Sequence, residues 1–467
     1  MSPSGNPQRS ARERAEDEQA TEDLARVYAH IMARAPEHDI EPTLDRVRRV
    51  VDILGDPQHA FRSIHITGTN GKTSTARMTE RLVREHGLRT GLFTSPHLKS
   101  VTERIAIDGE PISARRFLEM WEDVYPYVQI VDDELVADGQ SRLSFFEVLT
   151  VLAFATFADA PIDVAIIEVG LGGEWDSTNV VDGEVAVVTP VAMDHERWLG
   201  HTLGEIATVK AGIVKDGATV VLAEQEPEVE SVVLERSAAR GARVLREGLE
   251  LAVAARRVAV GGQLVDLRTP GGLYTEIFLP LHGAHQAHNA LLALAATEAL
   301  LTGGGALAGP IVEAAFGDAT SPGRLEVVRS SPTVLVDAAH NPAGAHALVA
   351  ALDEAFDFHR LVGVVAIMAD KDAEHLLTVL EPVLAEIVVT RNSAERSADV
   401  TDLAELASEV FGEDRVRSAE RLDEALAIAV DLAERDDAVG VGTGTGVLVT
   451  GSVITAADAR ALLRPGG

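Results

Sequence analysis

The stretch IHITGTNGKTST, residues 64–75, decides the fold. A short β-prone run, Ile64 to Thr67, passes into the turn Gly68, Thr69, Asn70, Gly71, and Lys72 and Thr73 then lead into a helix from about Ser74 to His86. A strand that ends in a glycine loop and opens a helix lets the backbone wrap a phosphate chain. The first helical N–H groups are unpaired, the helix dipole is positive at that end, and the Lys72 ammonium adds a full charge. The loop is a shortened variant of G-x-x-x-x-G-K-[ST], because Ile66 stands where the first glycine would be. Gly68 to Ser74 are therefore the candidate phosphate-binding residues.

Outward from this loop the same grammar repeats. The runs DVAIIEVG (163–170) and VAVVTPV (185–191) are apolar on both faces and separated by helical periodicity. Such strands belong to a parallel sheet covered by helices on both sides. A second set, TVLVD (333–337), LVGVVAIM (361–368), EIVVT (386–390) and VLVTG (447–451), follows the turn-rich GDATSPG at 317–323. The expected fold class is α/β in two domains, residues 21–320 and 324–467, with the boundary at Ser321–Gly323. Residues 1–20 are polar and charged, which is the composition of a disordered tail.

The 467 residues contain no cysteine, so a disulfide scaffold, a thiolate zinc site and a cysteine nucleophile are excluded. With 41 basic and 73 acidic residues the net charge is −32, which argues against a nucleic-acid-wrapping surface. The most apolar stretch, Val148 to Ala158, is far short of the roughly 18 residues a membrane span needs, and the start has no signal-peptide core. A soluble, cytoplasmic protein without membrane or nucleic-acid partners is expected.

Two further residues follow from position alone. Glu168 ends an apolar strand, so its carboxylate emerges at the carboxyl edge of the sheet, where open α/β sheets bind ligands and a hard oxygen donor suits Mg²⁺. His195 follows Asp194 just beyond the next strand and can face the same crevice, although a lone histidine is more often structural. The run GVGTGTG (440–446) imitates a dinucleotide fingerprint but precedes a strand instead of following one, so no nicotinamide site is expected.

GTNGKT resembles the ATP loop of the Mur ligase superfamily. The order TSPHL (94–98), ERI (103–105), EVGLGGEWDSTN (168–179), DH (194–195), VKAGIVK (209–215), HQAHNA (285–290), PGRLE (322–326) and VDAAHNP (336–342) is similar to its folylpolyglutamate synthase and dihydrofolate synthase family. The resemblance covers about residue 40 to the C-terminus. It implies a P-loop NTPase-type parallel-rich sheet domain followed by a Rossmann-like domain. It also implies an ATP-dependent ligase that joins L-glutamate to dihydropteroate and to reduced folates through an acyl phosphate. Polyglutamylation alone, a Mur-type cell-wall ligase and a catalytically silent nucleotide-binding protein are the alternatives.

The resemblance also implies roles for residues. Ser95 and Glu168 would hold one magnesium, and His195 with Glu168 a second. Lys210, which otherwise reads as a helix-face lysine, would carry a carbamate, because an ammonium beside two Mg²⁺ ions is repelled. Ser95, Pro96, His97 and Asp176 would meet the pterin substrate, although Glu174 stands where many members have arginine. Phe145 and Phe146 could flank a flat heterocycle, but a core helix fits them better. Asn289, at i, i+3 from Gln286, would lie near the base. Arg324 would reach the phosphates and Asp337 the ribose, with His340 near the nucleotide and counted with the catalytic set. A monomer is expected.

Overall fold

The computed structural model describes residues 7–35, 41–435 and 444–463. By internal contacts the chain divides into two units. One comprises residues 1–252, 269–272 and 292–315, and the other residues 253–268, 273–291 and 316–467. The sequence suggests one cut near Ser321–Gly323, whereas this division interleaves.

The first unit is built on an eight-stranded sheet. Its order is Glu110–Pro111, Ile105–Ile107, Thr90–Phe93, Val164–Glu168, Arg62–Thr67, Val185–Val188, Thr219–Leu222 and Arg243–Arg246. The six strands from Thr90–Phe93 onward are parallel, and the two at the first edge are antiparallel. The registers Ile66↔Glu168 and Thr67↔Val188 bring the phosphate loop, Glu168 and the segment after Val188 to one edge. Ala165 and Ile167 pack with the helices Asp45–Ile53, Ala114–Ala137 and Phe145–Asp159 in one core. Ala186, Val188, Val220 and Leu222 pack with the helices Leu203–Ala211 and Pro227–Ala239 in another.

Of the tail expected over residues 1–20, residues 1–6 lie outside the described residues and residues 7–20 are helical. A helix runs from Pro7 to Met32. Its Arg, Glu, Gln and Ala are strong helix formers, and the helix continues into Leu24 and Ile31, which are buried in the core with Val27 and Tyr28 against them.

The second unit contains a six-stranded sheet ordered Glu326–Ser330, Thr333–Val336, Thr445–Thr450, Arg360–Val365, Glu386–Val389 and Val416–Ser418. Only the edge pair Glu326–Ser330 with Thr333–Val336 is antiparallel. The period of two along these strands sorts their side chains between two cores. Leu335, Val365, Ile387, Val389 and Leu448 meet the helices Pro342–Ala355, Ala373–Leu380 and Val400–Phe411. Val334, Val336, Val362, Val364, Val388, Val447 and Val449 meet the helices Leu422–Glu434 and Val453–Leu463. The start of the discounted GVGTGTG run, 440–443, lies outside the described residues, and its end enters the strand Thr445–Thr450.

A separate three-stranded sheet, Ala252–Ala259, Gly262–Thr269 and Gly272–Leu279, was not anticipated. Among the described residues no helix is long and apolar enough to cross a membrane.

Candidate active site

The phosphate loop is set by crowding at its first residue. Gly68 has φ +143°, and a Cβ there would stand 1.8 Å from the Thr189 hydroxyl oxygen. Thr69 N and Asn70 N donate to the Pro190 carbonyl at 2.9 and 3.3 Å. The Thr69 hydroxyl donates to Ala192 O and accepts from Ala192 N, both at 3.0 Å. Two loop amides expected to face phosphate are thus committed to the neighbouring segment. The amides of the helix start Lys72–Ser74 are the ones oriented as a terminal anion site.

Lys72 Nζ donates to Gly68 O and Thr69 O, each at 3.1 Å. Lys210, on the helix Leu203–Ala211, donates to the same Gly68 O at 2.7 Å. Burial and the positive Lys72 lower the Lys210 pKa from 10.5 to about 7, against the attraction of Asp194 and Asp176.

Glu168 is buried, and its carboxylate bridges two segments. Oε1 accepts from the Thr73 hydroxyl at 2.8 Å and Oε2 from Ser95 N at 3.4 Å. A hydroxyl on the phosphate-loop helix beside a carboxylate at the strand end is a hard oxygen set that fits Mg²⁺ with phosphate and water completing the shell. Thr73 joins the metal candidates on this geometry, and its position after Lys72 was the signal available in the sequence. Among the described residues no group of three or more His, Asp or Glu side chains converges as a metal cluster. His195 has left-handed backbone, φ 52°, a half-exposed ring and Nε2 3.9 Å from Asp194 Oδ1.

In the TSPHL segment, Ser95–Pro96 is a cis peptide. Nδ1 of His97 accepts from Arg104 Nε at 2.9 Å, and Arg104 also lies over the Phe145 ring at 5.2 Å. Tyr28, from the first helix, meets His97 and Phe145 edge-on at 5.8 and 5.9 Å. Burial, with Arg104 adding to it, depresses the His97 pKa from 6.5 to about 3. Phe145 is buried in the core and Phe146 stacks at a tilt on Phe93, which agrees with the core-helix expectation for the pair. Asp176 is also buried. Its carboxylate takes Leu171 N at 2.9 Å, Thr178 N at 3.0 Å and the Thr178 hydroxyl, and burial raises its pKa. In this structure it shapes the glycine-rich loop. Glu174 lines a cleft of about 1280 Å³ with Asn179, Gly212 and Lys215, at the amino ends of the strands.

In the second unit Asp337 is buried and accepts from Leu325 N and Ala339 N, both at 2.8 Å. His340 Nδ1 lies 2.9 Å from Ala338 O. Buried Asn289 donates to the Gln286 carbonyl oxygen at 3.2 Å, so the two amides of HQAHNA pair with each other. His285, given no role by the sequence reading, lies in the field of Asp337 and Arg324, and burial lowers its pKa to about 4.

Comparison with known proteins shows the family. The Mur ligase middle domain matches residues 66–297, and the Mur ligase glutamate ligase domain matches residues 323–452. The chain is 49% identical over 445 residues to the dihydrofolate synthase/folylpolyglutamate synthase of Mycobacterium tuberculosis, covering 92% of this chain and 91% of that protein. The solved Mycobacterium tuberculosis folylpolyglutamate synthase complexed with ADP and AMPPCP superposes with a TM-score of 0.90 at 48% identity, over 95% of this chain and 99% of that one. Escherichia coli FolC in complex with DHPP and ADP gives a TM-score of 0.79 at 28% identity, over 95% and 98%.

Proposed function

The chain belongs to the dihydrofolate synthase/folylpolyglutamate synthase family of Mur ligases, and from that premise we propose that this ATP-dependent acid–amino-acid ligase adds L-glutamate both to dihydropteroate and to reduced folates. The observation that carries the chemistry is the meeting of Thr73, Glu168 and Ser95 beside the phosphate loop.

The γ-phosphate of ATP lies against the amides of the helix start and the Lys72 ammonium, which balance the charge that builds as the acceptor carboxylate attacks phosphorus. Mg²⁺ held by Thr73, Ser95 and Glu168 would neutralise the phosphate oxygens. The carboxylate oxygen–phosphorus bond forms, ADP leaves, and the amine of glutamate then attacks the acyl carbon and expels phosphate. No protein nucleophile is required, which suits a chain without cysteine. Lys210, with its pKa lowered to about 7, could take up carbon dioxide as a carbamate, and with His195 would then supply donors for a second magnesium. Asn289, Arg324, Asp337 and His340 would serve the nucleotide, while His97 and Asp176 would serve the pterin. A monomeric, cytoplasmic protein completes the reading.

Phosphate release tests it. ADP and phosphate should form with dihydropteroate or tetrahydrofolate only when ATP and L-glutamate are both present. Lys72→Ala and Glu168→Gln should each lower turnover by at least about a hundredfold while the fold is kept. Turnover with UDP-muramoyl peptides in place of pterins would sink the proposal, and turnover with tetrahydrofolate alone would reduce it to polyglutamylation.

A further inference from the structure

Gln225 lies just beyond the strand Thr219–Leu222, outside every motif that carries the chemistry. Its side chain is half-buried and makes a two-sided main-chain clamp: Oε1 accepts from Val191 N at 3.0 Å, and Nε2 donates to Thr189 O at 3.0 Å. The clamped segment is the one against which the phosphate loop rests. Pro190 O takes Thr69 N and Asn70 N, Ala192 exchanges bonds with the Thr69 hydroxyl, and the Thr189 side chain fills the space beside Gly68.

We infer that Gln225 is a positioning residue for nucleotide binding: by fixing Thr189–Val191 it holds the phosphate loop in the form that receives the β- and γ-phosphates. The inference rests on the ligase reading above. An amide suits the task because it alone pairs a donor and an acceptor at fixed separation, matching the carbonyl of Thr189 and the N–H of Val191. A methionine of similar length supplies neither bond, and a glutamate supplies only the acceptor. The loop touches phosphates and not the base, so the effect must track the phosphate content of the ligand.

The test is calorimetric binding of Mg²⁺–AMPPCP and of AMP to the full chain, wild type and Gln225→Met, with Gln225→Glu as a second variant that keeps the bond to Val191. Hydrogen exchange at Thr69 and Asn70 is followed without ligand. AMPPCP affinity should fall about tenfold or more in Gln225→Met and less in Gln225→Glu, AMP affinity should hold within about twofold, and the two amides should exchange about tenfold faster. Unchanged AMPPCP affinity, or an equal loss for AMP, overturns the role of Gln225. A wild-type protein that binds neither nucleotide overturns the ligase reading itself.

Discussion

Lys72 and Lys210 share one acceptor: the Gly68 carbonyl oxygen receives Lys72 Nζ at 3.1 Å and Lys210 Nζ at 2.7 Å. Two ammonium groups converging on one buried oxygen repel each other, and the lysine with the lowered pKa of about 7 is Lys210. A neutral amine is what reacts with carbon dioxide. Lys210→Ala should therefore lose most turnover, at least about thirtyfold, and recover part of it with added acetate. Labelled bicarbonate should give a carbamate carbon signal in the wild type and none in the variant. Full activity of Lys210→Ala would leave Lys210 as a structural donor to the loop.

Gly68→Ala should abolish nucleotide binding with little loss of secondary structure. The added methyl would meet Thr189 Oγ1 at 1.8 Å, and φ +143° is disfavoured for any side chain. Thr189→Ala in the same chain should restore only part of the affinity, because it removes the 1.8 Å contact with Oγ1 and leaves Thr189 Cβ and O at 2.9 Å together with the backbone strain. Titration with AMPPCP measures both, and a fully restored double variant would show that φ does not matter here.

Arg46 donates to Glu147 Oε1 at 3.0 Å, both side chains are buried, and Glu147 also caps its own helix through Ser144 N at 2.7 Å. Arg46→Met strands a buried carboxylate and should cost about 3–5 kcal/mol of stability. Arg46→Met with Glu147→Gln should cost clearly less than the sum of the two single changes, as denaturant unfolding would measure.

His65 is fully buried, with Nε2 2.9 Å from the Thr178 hydroxyl oxygen, and burial depresses its pKa from 6.5 to about 3. The unfolded chain takes up a proton below pH 6.5 that the folded chain refuses until about pH 3, so stability falls as pH drops through that window. Relative to His65→Leu, the wild type should lose about 1.4 kcal/mol per pH unit below 6.5, or about 2 kcal/mol at pH 5, with a constant difference above pH 8. A difference independent of pH would contradict the burial argument.

The strands whose two faces are both apolar were legible, as were Lys72, the carboxyl-edge location of Glu168 and the helices between strands, because periodicity and turn residues encode them locally. The sequence reading began the loop helix at Ser74, and the structure begins it at Lys72. The three-stranded sheet was missed although Gly261–Gly262 and Gly271–Gly272 are turn signals between alternating runs. The pterin-side role of Asp176 came from the family resemblance, and its bonds to Leu171 N and Thr178 N were not legible, because spacing alone does not report local capping. The clamp by Gln225 joins residues 34 and 36 positions apart, and the bonds of Thr69 N and Asn70 N to Pro190 span 121 and 120 positions, which no local pattern reports.

The bond from Arg104 to His97 fixes the chemistry of the imidazole. A guanidinium has no lone pair to offer, so Nδ1 must be the bare nitrogen, and the ring's single proton sits on Nε2. With protonation pushed to about pH 3, the ring neither carries charge nor relays protons under ordinary conditions. His97 is left with one N–H, on Nε2, to present to an oxygen or nitrogen acceptor.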